Sequence, residues 1–245
     1  MLHFRNKYGG LNSYDFLKSA AIISMVIDHI GLFFYPDVQI LRVVGRLSYP
    51  LFAFCIGYNN KYQVGKILSL LAIIMAIIPA IFYSEAISMT GLLQASVLFS
   101  IIFVKVFMGF ASKAITRKNL FQWLVILISL APLTGILFPY GTMGMIMAIC
   151  GYLCSSHKDH DAYPMFLAIS LGCYAGIEAS NDKFTWPLIT CLFLLFIGLY
   201  TALCHFRIYP VKLPKPLSKL MLLASRHSLM IYFIHYELFY FLHFF

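Results

Sequence analysis

Tyr14 to Tyr35 reads YDFLKSAAIISMVIDHIGLFFY. Wound as a helix rising about 1.5 Å per residue, this stretch reaches across the roughly 30 Å hydrocarbon core of a bilayer. Only Asp15, Lys18, Asp28 and His29 interrupt its apolar character. Those residues, and the lack of a small-residue cleavage site after it, predict that the segment stays in the mature protein as a membrane span. Runs of the same kind follow at 40 to 58, 66 to 84, 91 to 110, 120 to 138, 140 to 154, 163 to 178, 186 to 206 and 218 to 243. That pattern predicts an all-α polytopic bundle of about nine transmembrane helices. The run at 140 to 154 is short and contains Gly141, Gly144 and Gly151, so it and its predecessor are either two crossings or a re-entrant pair. No joint between runs is long enough to fold alone, and one domain over residues 1–245 is expected.

Composition excludes the soluble alternatives. Of the 245 residues 61% are hydrophobic and 11% charged, against about 25% charged in a soluble domain. Lys and Arg number 18 and Asp and Glu 9, a formal charge of +9. In a soluble protein that excess would suggest nucleic acid, but here it sorts by loop. Arg5, Lys7, Lys61, Lys66, Lys113, Arg117, Lys118, Lys158, Arg207, Lys212, Lys215 and Lys219 fall on one side, and Arg42, Arg46 and Lys183 on the other. Cytoplasmic loops retain positive charge, so the N-terminus is expected in the cytoplasm, and no nucleic-acid partner is expected. The six cysteines lie in or beside apolar runs without a CxxC pair, which reads as small core hydrophobes and neither a disulfide framework nor a metal site.

Ionisable groups inside a span cost about 2.5 to 3.5 kcal/mol each on insertion scales, so each needs a partner, a wet cavity or a task. Asp15 and Lys18, three residues apart, can neutralise one another. Lys18 and His29 are eleven residues apart, close to three helical turns, and share one face. Asp28 points about 100° away and needs a partner of its own, for which Arg46 in the next run is expected. In that run, LRVVGRLSYPLFAFCIGY from Leu41 to Tyr58, Gly45 permits close helix approach and Pro50 predicts a break near Ser48. In the last run Ser228, Tyr232 and His235 lie on one face, with His235 at a depth similar to His29 and Arg46. Glu237 reads as an outer-interface carboxylate, and Arg226 and His227 as residues that snorkel or bind an anion.

At these residues the chain resembles the TraX family, named for the membrane acetylase that modifies F-type conjugative pilin. The resemblance rests on DFLKSAAIISMVIDHIG from Asp15 and on LRVVGRLSYPLFAFCIGYN ending at Asn59. More distantly, the Lys18 to His29 spacing and SLMIYFIH from Ser228 to His235 resemble the basic-x10-His and C-terminal S-L-x-I-Y-x-x-H segments of wider membrane acyltransferases. Those families place a glycine just before the latter segment, where this chain has Ala224, Ser225, Arg226 and His227.

The resemblance implies an inner-membrane enzyme that passes an acetyl group from cytoplasmic acetyl-CoA to an extracytoplasmic acceptor, a pilin N-terminal amine or a surface-glycan hydroxyl. Acetyl-CoA is then the donor co-substrate, and no metal is needed. His29 is the expected base or nucleophile, with Asp28, Arg46 and His235 around it and Lys18, Arg46, Ser228 and Tyr232 toward the donor. A thiol nucleophile at Cys55 is a minor option. The residues also admit a proton-coupled transporter built on Asp28, His29 and Arg46, although the chain has no internal repeat to favour it, and a purely structural subunit.

Overall fold

The first helix, α1 (Ser13–Phe33), starts where Asn12 caps it, the asparagine side chain accepting from the Asp15 amide at 2.9 Å. It ends just before Pro36, which disfavours helical backbone in the residue preceding it. The computed structural model describes residues 10–82, 96–156, 162–181 and 184–244, and every regular element among them is a helix. Arg5, Lys7, Lys158 and Lys183, and the ends of the runs at 66 to 84 and 91 to 110, lie outside the described residues.

The second run divides as its proline predicts, into α2 (Gln39–Gly45) and α3 (Ser48–Asn59). Pro50 occupies the first turn of α3, where the amide it lacks would have no intrahelical partner in any case. There follow α4 (Lys66–Phe82), α5 (Val97–Ala114), a 3₁₀ turn at Arg117–Asn119, α6 (Leu120–Leu137), α7 (Met143–Ser156), α8 (Ala162–Asn181) and α9 (Trp186–Cys204). The run at 218 to 243 is not one helix. It forms α10 (Lys215–Arg226) and α11 (Ser228–Phe244), because His227, at φ −109° and ψ 24°, leaves the helical region.

Six stretches among the described residues are long and apolar enough to cross a membrane: Ser13–Phe33, Gln39–Asn59, Val97–Ala114, Arg117–Leu137, Ala162–Ser180 and Trp186–Cys204. Lys66–Ile78 and Met143–Ser156 are shorter apolar helices. The expected nine runs thus resolve into these six, two short helices and the divided pair α10 and α11.

The chain forms two compact units, one of residues up to Cys55 and from Ala175 onward, the other of Ile56–Tyr174. In the first, α1 packs against α2, α10 and α11, and α9 against α2. Two glycines bring α1 and α2 together: a Cβ on Gly31 would lie 2.8 Å from the Cβ of Leu41, and one on Gly45 would collide with the Asp28 side chain. The segment before α10 is stitched to the start of α1. Ser13 donates its amide to the Tyr209 carbonyl at 3.0 Å and its hydroxyl to the Arg207 carbonyl at 2.6 Å, and the Val211 amide reaches the Leu11 carbonyl at 2.9 Å.

In the second unit α7 is the core. It is apolar on every side and buried continuously from Met143 to Leu153, as an all-round hydrophobic helix must be. It packs on α5 and α6, and Gly57 of α3 meets its backbone so closely that a Cβ there would collide with the Ala148 carbonyl. Buried hydroxyls pair with backbone carbonyls: Ser100 with Pro139 at 2.7 Å, Thr142 with Leu127 at 2.6 Å and Ser170 with Phe166 at 2.6 Å.

Candidate active site

His29 and His235 meet. The Nδ1 of His29 lies 2.7 Å from the Nε2 of His235, and the ring planes are 23° from parallel with centroids 4.9 Å apart. That separation matches the nitrogen contact plus roughly two ring radii, so the imidazoles join edge to edge through a hydrogen bond and do not stack face on face. The second nitrogen of His235, Nδ1, lies 2.6 Å from the carbonyl oxygen of Ile231, one turn earlier in α11. Tyr232, buried, has its ring 6.0 Å from His29, and Tyr236 sits edge-on at 5.3 Å. Phe33 closes the side of His29 along α1 at 6.3 Å.

Two ion pairs tie α1, α2 and α8 together, and they correct the sequence reading. Where Arg46 was expected against Asp28, the structure pairs Asp28 with Arg42 and Arg46 with Glu178. An Nη1 of Arg42 donates to Oδ2 of Asp28 at 2.7 Å and to the Asp28 backbone carbonyl at 3.3 Å. The Nε of Arg46 reaches Oε2 of Glu178 at 2.9 Å, with both side chains more than nine-tenths buried. Arg42 and Arg46 are one turn apart, Arg42 within α2 and Arg46 at its C-cap, so one face presents two cations to two acids. Through its bond to the Asp28 carbonyl, Arg42 sits against the residue that precedes His29.

Arg42 and Glu178 are the two members of this cluster that the sequence reading did not single out. A carboxylate inside the apolar stretch SLGCYAGIEASN, from Ser170 to Asn181, was the available signal for Glu178. For Arg42 it was the i, i+4 relation to Arg46.

Lys18 is buried, and its ammonium donates to the backbone carbonyl of Ser225 at 2.7 Å. That carbonyl belongs to the last turn of α10, whose terminal carbonyls have no intrahelical amide to accept from. A cation there satisfies the orphan oxygen and complements the negative end of the helix dipole. The Ser225 hydroxyl donates to Oδ1 of Asp15 at 2.6 Å, and Ser19 donates to the Met221 carbonyl at 2.7 Å. Asp15 and Lys18, expected to serve each other, both hold the end of α10. Ser228 opens α11 and is half-buried. Cys55 is buried with a free thiol, and Tyr14 donates to its backbone carbonyl at 3.1 Å.

The model of the TraX protein family matches residues 13–243, from the first residue of α1 to the end of α11. The chain belongs to the TraX family. All the residues that carried the resemblance, and both histidines of the contact, fall inside the matched range. Over 160 residues this TraX member is 30% identical to an uncharacterized protein of Rickettsia prowazekii (strain Madrid E), an alignment that takes in 64% of this chain and 62% of the relative. The chain therefore spans about three fifths of the length of the curated relative it matches. No solved structure matches it.

Proposed function

We propose that this TraX member is a membrane-embedded acetyltransferase that moves an acetyl group from acetyl-CoA to an extracytoplasmic acceptor, a pilin N-terminal amine or a surface-glycan hydroxyl, with His29 as its base. The observation that carries the reading is the His29–His235 contact set beside the Asp28–Arg42 ion pair. It combines a base, a group that orients it and a cation for a developing negative charge, which is what acyl transfer needs.

With Nδ1 of His29 committed to His235, Nε2 is the nitrogen left to work on the acceptor. It takes the proton from the acceptor's N–H or O–H as that atom attacks the acetyl carbonyl. The carbon–sulfur bond then breaks, and the thiolate of CoA leaves with the proton returned from Nε2. The net change is one acyl bond exchanged and one proton moved from acceptor to thiol. Arg42 is the cation placed to steady the tetrahedral oxyanion, a part the sequence reading gave to Arg46. Arg46 and Glu178 brace the break between α2 and α3, one turn beyond Arg42.

Because the Lys18 ammonium is engaged at Ser225, the phosphates of the donor fall to the exposed cations of α10, Lys215, Lys219 and Arg226. Arg226 follows Ser225 and so shares the end of α1 at which Lys18 sits. The positive-inside bias puts that end in the cytoplasm, and the parallel course of α1 and α11 supports an odd number of crossings. This topology and the family support the reading of a bacterial inner membrane with donor and acceptor on opposite faces.

The test is thermal stability of the detergent-purified protein in concentration series of acetyl-CoA, CoA and ATP, followed by acetyl transfer to an amine and to a sugar acceptor. A ligand that binds only the folded state raises the melting temperature by mass action. A shift with acetyl-CoA and CoA but not ATP, together with transfer that His29→Ala abolishes, is the expected result. Equal shifts with every polyphosphate, or transfer undiminished in His29→Ala, would sink the proposal and bring the transporter forward.

A further inference from the structure

Helix α1 touches α10 and α11 at two polar points. At one point Lys18 of α1 donates to the Ser225 carbonyl of α10, and at the other His29 of α1 meets His235 of α11. The spacing is eleven residues along α1, about 16 Å of rise, and ten residues across the break between α10 and α11 at His227. Beyond the histidines α11 runs alongside α1 in the same direction, with Phe33 against Tyr236 at 5.8 Å and Phe34 against Phe239 at 5.1 Å.

The contact at the far end has a definite hydrogen count. The Ile231 carbonyl can only accept, so Nδ1 of His235, 2.6 Å away, must carry a proton. In a neutral imidazole the other nitrogen is then a bare acceptor, so Nε2 of His235 accepts from Nδ1–H of His29. By the same rule His29 is left with its lone pair on Nε2. The alternative, a charged His235 donating from both nitrogens, places a cation between the rings of Tyr232 and Phe239 and is the costlier state.

We propose that His235 is a positioning residue that fixes His29 in the tautomer protonated at Nδ1 and bare at Nε2, and that Lys18 is a second positioning residue that holds the end of α10, and with it the start of α11 from which His235 reaches His29. Lys18 thus acts on the chemistry through α10 and α11 and not through the donor. The inference rests on the reading of His29 as the base, which it deepens by naming what keeps that base in its working form. It also accounts for the lysine-to-histidine spacing, because a lysine and a histidine three turns apart are the two points at which α1 engages α10 and α11.

The experiment uses the full chain, labelled with ¹⁵N-histidine, in lipid nanodiscs. Two-bond ¹⁵N–¹H correlations distinguish the tautomers, and the signals of His29 are identified by their loss in His29→Asn. Wild type is expected to show His29 protonated at Nδ1. His235→Phe, which keeps an aromatic ring but removes the acceptor, should return His29 to mainly Nε2–H and lower kcat by about 10²- to 10⁴-fold. His235→Gln, whose carbonyl oxygen can accept, should recover part of both. Lys18→Met should shift the tautomer the same way and lower kcat with KM for acetyl-CoA unchanged.

An Nε2–H tautomer of His29 in wild type overturns the proposal without recourse to any variant. So does an unchanged tautomer in both His235→Phe and Lys18→Met, or a Lys18→Met enzyme in which only KM rises. The tautomer measurement is independent of activity. If it comes out as expected and the protein transfers no acetyl group, the clamp stands and the acetyltransferase reading falls; if transfer occurs with the wrong tautomer, the clamp falls alone.

Discussion

The two units bury their polar groups differently. Among the described residues, the first unit buries Lys18, Asp28, Arg46 and Glu178, and it joins distant parts of the chain through them: α1 to α10, α1 to α2, and the end of α2 to α8. The second buries Ser96, Ser100, Thr142 and Ser170, hydroxyls held by nearby backbone around the apolar α7. A hydroxyl paired with a backbone group costs little to bury, whereas a charge in the hydrocarbon slab costs several kcal/mol unless paired. The first unit is therefore where the fold carries expensive groups, and the proposed chemistry lies there in full. The second unit is built by packing.

That contrast can be broken by substitution. The largest effect is expected on turnover: His29→Ala should lower acetyl transfer about 10²- to 10⁴-fold with the protein still inserted and folded, while Ser170→Ala in the second unit leaves the rate within about twofold. A comparable loss of rate from Ser170→Ala would erase the distinction. Next comes stability. Glu178→Ala strands a buried arginine and should cost about 3–5 kcal/mol in chemical unfolding, whereas Glu178→Met combined with Arg46→Met removes both charges and should recover most of it. If the double variant is as unstable as the single one, the pair is not what makes this position costly.

Smaller, but sharper as a comparison, are two glycines. Gly57→Ala forces a methyl into the Ala148 backbone and should cost about 1–3 kcal/mol in thermal unfolding, with kcat unchanged in the fraction that stays folded. Gly45→Ala pushes instead on the Asp28 side chain, which can move, so its cost in stability should be lower and its cost in kcat higher. The opposite ranking would mean that the second unit takes part in the chemistry. The smallest effect is expected from Thr142→Val, about 1 kcal/mol from one buried hydrogen bond to the Leu127 carbonyl, with no change in turnover.

Much of the first unit was legible in the sequence because its signals are local. The helical period places Lys18 and His29 on one face, Pro50 marks the division between α2 and α3, and residue counting puts His235 level with His29. What could not be counted was which partner each charge takes. Arg42 and Arg46 differ by one turn on the same face, and the Asp28 side chain reaches Arg42 only because Gly31 and Gly45 let α1 and α2 close to that particular offset. Glu178 looked like the edge of a span; its pairing with Arg46 depends on where α8 ends relative to α2, which no local pattern records. The break at His227 was hidden for a related reason. Its neighbours are good helix formers, and the chain can leave the helix there because Lys18, more than two hundred residues earlier, takes up a freed carbonyl.

The paired contacts of α1 with α10 and α11 make chain length, more than side-chain identity, the protected property of this region. Between Lys18 and His29 the residues Ile22 and Met25 can be exchanged for other apolar groups of similar volume at modest cost. A single inserted or deleted residue is another matter. It turns everything beyond it by about 100° and moves it about 1.5 Å, so that the lysine and the histidine can no longer both engage the neighbouring helix. A family that keeps this contact can drift freely in the letters of the interval and yet be held to its count.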